Sequence, residues 1–189
     1  MGEVHAWIAT GLLAFVLIVA TVTDLRSGKV YNWLTYPSMA VGLALAGIFG
    51  ALGEPGLLGG LAASALAMLV GLIGLGIIAG AGGIGWGDVK LLGAVGALGA
   101  SWQIVLSTLV YALLVALAIA LAMMIRHRLV RRTFSRLLGA LLMRSAKVKA
   151  ELPEDSPRIP FALALLIGGL LAAAEVLLDV QTPWRPDWR

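Results

Sequence analysis

The stretch AGAGGIGWGDVKLL, residues 79–92, decides how this chain is read. It closes a long uncharged run with a glycine-rich turn, then sets Asp88 and Lys90 into a sequence that is 60% hydrophobic and 13% charged. Residues 55–87 carry no charge, and the run exceeds the roughly 20 residues that a helix needs to cross a bilayer core. Its glycine-rich end disfavours continued helix, so a span starting near Pro55 is expected to stop near Ile78. A short further span then begins at Asp88.

Working outward, the mean hydropathy of +0.98 means more apolar surface than one soluble core can hide. Residues 6–23 and 33–53 are uncharged and bounded by polar residues or turns, and they read as the first two spans. Residues 91–125 would make a helix of roughly 52 Å, too long for one crossing, so this run is expected to split at GASWQ, residues 99–103. A fifth span then covers 104–125. The last covers about 159–178 and tolerates Glu175 near its far end. The N-terminus lacks the basic region of a secretory signal and carries Glu3 instead, which makes it a span. The expected fold is an all-α membrane protein, a polytopic bundle of about six transmembrane helices forming one domain over 1–189.

Charge sets orientation. If the polar segment 126–158 is a cytoplasmic loop, six spans place Arg26, Lys29 and Lys90 on the same side and leave only Arg185 and Arg189 opposite. The net charge of +4 thus points to membrane orientation, with no soluble domain to bind nucleic acid. Within the loop, Val130, Phe134, Leu137, Leu138 and Leu141 recur at helical spacing among Arg128, Arg131, Arg132, Arg136 and Arg144. That pattern fits an interfacial amphipathic helix on anionic lipid, and fits equally a surface helix with no role beyond topology. Small residues recur at four-residue spacing, as Gly42, Ala46, Gly50; Gly59, Ala63, Ala67, Gly71; and Gly93, Ala97, Ser101. Such stripes let helices pack closely.

Cysteine is absent, which removes thiol nucleophiles and cysteine-ligated zinc, and His5 and His127 lie far apart. No metal or cofactor is expected. Of the acidic residues, Glu3, Glu54 and Asp187 fall in ends or turns, Glu151, Glu154 and Asp155 in a linker, and Glu175 and Asp179 at the outer end of the last span. Asp24 and Asp88 remain. Asp24 can be a solvated boundary residue beside Arg26, and Asp88 an N-cap to the fourth helix, with Gly85 and Gly87 serving the turn. The functional reading comes from their pairing, two carboxylates brought to one membrane depth by different helices. Two such acids tend to share a proton, so that one activates water while the other polarises a scissile carbonyl. A small transporter or assembly scaffold, in which both acids bind protons or cations or merely face water, is the other reading open to these residues.

Three segments resemble the type IV prepilin peptidases. GWGDVKLLGAVGALG, from Gly85, is similar to their GxGD signature. DLRSGKVYNWLTYP, from Asp24, is similar to their first-aspartate segment, although Val30, Tyr31 and Asn32 stand where Ile-Pro-Asn is common. RIPFALALLIGG, from Arg158, resembles the Pro-Phe motif of their final span. The resemblance implies a membrane aspartic peptidase with Asp24 and Asp88 catalytic, Gly85 and Gly87 shaping the approach to Asp88, and Lys90, Pro160 and Phe161 in support. It implies a prepilin or pseudopilin substrate cut at the cytoplasmic face of the inner membrane. With no paired CxxC motifs, the chain is similar to the short, peptidase-only group serving tight-adherence pili, and methyl transfer is not expected.

Overall fold

The structure, a computed structural model, describes residues 2–53, 55–82, 84–126 and 160–178, all of it helix and connecting turn. Among the described residues there are six helices: α1 (Gly2–Ser27), α2 (Asn32–Ala51), α3 (Leu57–Gly80), α4 (Trp86–Gly99), α5 (Trp102–Arg126) and α6 (Phe161–Leu177). The chain forms two compact units, Met1–Val115 with Pro160–Arg189, and Ala116–Ile159. In the second unit the described residues are the last turns of α5. The expected interfacial helix in 126–158 lies outside the described residues, apart from Arg126.

Among the described residues, four helices are long and apolar enough to cross a membrane: Ala6–Ser27, Asn32–Ala51, Leu57–Gly80 and Trp102–Met123. α6 is shorter, and α4 shorter still. At 14 residues, α4 spans only about 21 Å, less than a typical hydrocarbon core of about 30 Å. It can be short because it is enclosed by protein. Every residue from Leu91 to Leu98 is buried, and α1, α2, α3 and α6 all pack against the helix. The outer helices turn large apolar side chains outward, among them Phe15, Ile18, Leu66, Leu69, Ile73 and Leu114. That surface suits lipid and would be a liability in water. The chain is a multi-pass all-α membrane protein.

The helix breaks fall where the sequence places them, with one shift. α3 runs to Gly80, and α4 starts at Trp86 rather than Asp88, with Gly85 as its N-cap. At the other end of α4, Ala100 adopts a left-handed conformation (φ 47°) and donates its N–H to the Gly96 carbonyl, which ends the helix inside the expected GASWQ break.

Close packing comes from the small residues. A Cβ added to Gly42 would lie 2.5 Å from the Ala97 carbonyl carbon, and one on Gly71 2.7 Å from the Leu92 carbonyl oxygen. A Cβ on Gly96 would collide with the backbone of Ala67. On α3 the buried line is Gly60, Ser64, Ala67 and Gly71, whereas Ala63 faces outward and Gly59 lies against Pro55. This corrects the four-residue stripe on α3, whereas Gly42, Ala46 and Gly50 of α2 are all buried as expected. Each step of four residues overshoots a turn by about 40°, and on α3 the contact face takes up the drift with a step of three from Ser64 to Ala67. Ser64 uses that face to donate to the Ala97 carbonyl at 2.7 Å.

Glu175 is also more than a tolerated end residue. It is only 7% exposed, and it accepts a hydrogen bond from the Tyr111 hydroxyl.

Gly96→Val should destabilise the detergent-solubilised protein by about 1–3 kcal/mol or more, because rigid backbone cannot yield to the new side chain. Gly74→Ala meets nothing within 4 Å and should leave the unfolding temperature unchanged or raised. Ala100→Gly should raise it, because up to about 1 kcal/mol of backbone strain is relieved. Thermal unfolding of the three variants checks the set.

Candidate active site

Asp24 sits in the last turn of α1, half-buried. The helix closes when Gly28, at φ 62°, donates its N–H to the Asp24 carbonyl at 2.7 Å. A left-handed residue there lets the chain turn back at once, and glycine takes that conformation without steric cost. The short connection to α2 then lies across the start of α4. A Cβ on Gly87 would be 3.0 Å from the Val30 Cβ, so the missing side chain at Gly87 admits this connection. Through that contact the end of α1 meets the beginning of α4.

Asp88 is the third residue of α4 and half-buried. The expectation that it caps the helix is corrected. Gly85 holds the N-cap position in extended conformation (φ −71°, ψ 142°), and no side-chain cap is made. In the first turn a carboxylate still gains from the positive end of the helix dipole. One of its oxygens, Oδ1, is buried with no hydrogen-bond partner among the described residues. Asp24 stands close enough for the two carboxylates to repel each other. A desolvated oxygen beside a second acid is a costly arrangement that packing alone does not call for.

The two glycines of the motif do different things. Gly85 is exposed, and a Cβ on it would make only an ordinary contact, 3.4 Å from Asp88 Oδ2. Its bareness leaves open the space beside the carboxylate, while Gly87 lets two segments touch.

Lys90 does not simply reach for the surface. Its ammonium donates to Asn32 Oδ1 at 2.8 Å and lies 5.0 Å from the centre of the Tyr36 ring, tying α4 to the first turns of α2. Residues two apart on a helix do not share a face, so Lys90 points away from Asp88. Pro160 and Phe161 open α6, Pro160 as its N-cap, and both are half-buried. The next residue, Ala162, accepts a hydrogen bond at 3.1 Å from the buried Thr21 hydroxyl, which also donates to Leu17 at 2.8 Å. Thr21 lies three residues before Asp24, one turn away on α1. The Pro-Phe segment is thereby held against the helix that carries Asp24.

Thr21, Asn32 and Tyr36 were not legible as site residues in the sequence. Thr21 stood out only as a hydroxyl in an apolar helix, and Asn32 only as part of a variant turn. Among the described residues no cluster of three or more His, Asp or Glu side chains is placed to hold a metal.

The family model for the type IV leader peptidase family matches residues 11–121, a segment that includes both Asp24 and Asp88. Neither a curated protein nor a solved structure matches the chain.

The Lys90–Asn32 contact can be tested by a double-mutant cycle. Lys90→Met and Asn32→Leu should each destabilise the protein, while the double variant should lose less than their sum. A coupling of about 1–2 kcal/mol, measured by equilibrium unfolding, is expected for one hydrogen bond to a charged donor.

Proposed function

The chain belongs to the type IV leader peptidase family, and from that premise we propose an aspartic endopeptidase in which Asp24 and Asp88 form the catalytic pair. Its substrate is a prepilin or pseudopilin precursor. The bond broken joins the basic leader to the apolar helix that follows, at the cytoplasmic face of the inner membrane. The observation that supports this reading is an Asp88 oxygen buried and unpartnered among the described residues, with Asp24, from a helix far apart in sequence, near enough for its charge to act on that carboxyl group.

The chemistry needs one ionised and one protonated carboxyl group. Like charges at short range favour that state, since holding one proton between them removes their repulsion. The ionised carboxylate takes a proton from a water molecule, whose oxygen attacks the scissile carbonyl carbon. The protonated carboxyl donates to the carbonyl oxygen as charge builds there. In the tetrahedral intermediate the C–N bond breaks, and the nitrogen leaves as an amine with a proton returned from the acid pair. No covalent enzyme intermediate forms.

Access and depth support the same reading. The open side of Gly85 gives a peptide backbone a route to Asp88 Oδ2. A precursor that keeps its apolar helix in the bilayer would present its leader junction near the helix ends where both aspartates lie. The basic residues Arg26, Lys29 and Lys90 near those ends favour the cytoplasmic side.

Asp24→Asn and Asp88→Asn should each lower cleavage of a co-expressed prepilin by about 10²–10⁴-fold, the range for loss of acid–base catalysis, with unfolding temperatures near that of the parent protein. Full processing by either variant would end the proposal. Gly85→Val should reduce cleavage far more than stability, because it closes the route to the carboxylate without disturbing helix contacts.

A further inference from the structure

Cleavage by a pair of acids tolerates little misplacement, because a shift of about 1 Å in a reacting group can cost about 10²-fold in rate. No hydrogen bond between described residues involves the Asp24 side chain, so the aim of its carboxyl group follows the pose of α1. Whatever holds that pose is part of the chemistry. On the α4 side it is the contact of Gly87 with Val30. On the α6 side two contacts share the task. A Cβ on Gly169 would lie 2.6 Å from Leu17 Cδ1, so the bare glycine admits the leucine. One turn further along α1, the Thr21 hydroxyl donates to the Ala162 carbonyl at 3.1 Å.

The two contacts differ in kind. Dispersion between Leu17 and Gly169 is non-directional and changes little when one helix slides slightly along the other. A hydrogen bond constrains both distance and angle. Thr21 does not need α6 to be satisfied, because its hydroxyl also reaches the Leu17 carbonyl, four residues earlier on its own helix, at 2.8 Å. The buried Ser38 hydroxyl is satisfied by the same kind of local bond, to Leu34 at 2.6 Å. The bond from Thr21 to Ala162 is an addition, made three residues before Asp24 by a side chain only 5% exposed, and it ends in the first turn of α6 beside Pro160 and Phe161. Residues three apart share a helix face, so Thr21 and Asp24 look the same way from α1. Interhelical hydrogen bonds of this kind add little to the stability of membrane bundles, which leaves placement as the reason for it.

We propose that Thr21 is a positioning residue for peptide-bond cleavage: its bond to α6 fixes how far α1 extends past α6, and with it the depth of Asp24 relative to Asp88. The proposal rests on the reading of Asp24 and Asp88 as the catalytic pair.

Thr21→Val keeps the shape of the side chain and removes the donor. In the full-length protein in nanodiscs, cutting a purified prepilin, it should lower kcat by about 10–10²-fold, with KM within about twofold and the unfolding temperature within about 4 °C of the parent values. Thr21→Ser returns a hydroxyl and should recover most of the rate. The chain has no cysteine, so spin labels attached through Leu25→Cys and Ile167→Cys, at two exposed positions, report the α1–α6 distance without background. Thr21→Val should broaden that distance distribution, and Thr21→Ser should not. A parental kcat in Thr21→Val, a loss that Thr21→Ser does not recover, or a lowered kcat with the parental distance distribution would each overturn the proposal. So would failure of Thr21→Val to fold, since the bond would then be a stability element. Asp24→Asn separates the two readings. If that variant still cleaves, the aspartate pair has failed; if it is inactive while Thr21→Val cleaves at the parental rate, only the positioning role has failed.

Discussion

The structure depends on how closely other backbones can approach α4. This helix is too short to cross a bilayer alone, and its apolar residues gain little from a hydrophobic effect when lipid is as apolar as they are. What holds it is van der Waals contact at backbone distance, with Gly42 and Gly71 set against its peptide groups and its own Gly96 against Ala67. Because α2 and α3 press on it where no side chain can yield, the position of its first turn is fixed. Asp88 is in that turn. The contact of Gly87 with Val30 extends the same constraint to the α1–α2 connection, and through it to Asp24.

Charges are placed with equal economy. Lys90 lies two residues from Asp88, yet helix geometry turns it to Asn32 and Tyr36, so its ammonium braces α2 rather than neutralising the carboxylate. Thr21 works similarly on the other side, satisfying its hydroxyl on the Ala162 carbonyl and joining α6 to α1 just above Asp24. Neither contact involves the carboxyl group of Asp24 or Asp88. At the far end of the bundle a different acid, Glu175, is held by Tyr111 in the wall of a cavity. Carboxyl groups therefore mark both ends of the helix bundle, Asp24 and Asp88 half-buried at one and Glu175 buried at the other.

Much of this was legible in the residues themselves. Uncharged runs marked the order of the described helices, since the bilayer demands length and lack of charge and little else. The glycines of 79–87 and the GASWQ break marked helix ends because glycine and left-handed turns act locally. The scarcity of acids singled out Asp24 and Asp88, and the family match spans both. Other readings failed for physical reasons. The stripe through Gly59 and Ala63 drifts off the contact face, because four residues are more than one turn. Glu175 looked like a boundary residue, because burial depends on neighbours from α1, α4 and α5 that no local pattern names.

The sequence by itself determined that the chain is a bundle of membrane helices and which two carboxylates are worth pairing, because both follow from composition and from turns that need no distant partner. Only the tertiary structure decided that Gly85 is the cap and Asp88 the first-turn acid, that Gly87 serves contact while Gly85 leaves an opening, and that Lys90 faces Asn32. It alone enclosed Glu175 beside a cavity. Those are matters of which backbone lies against which, and they were settled by the distance at which α2 and α3 close on α4.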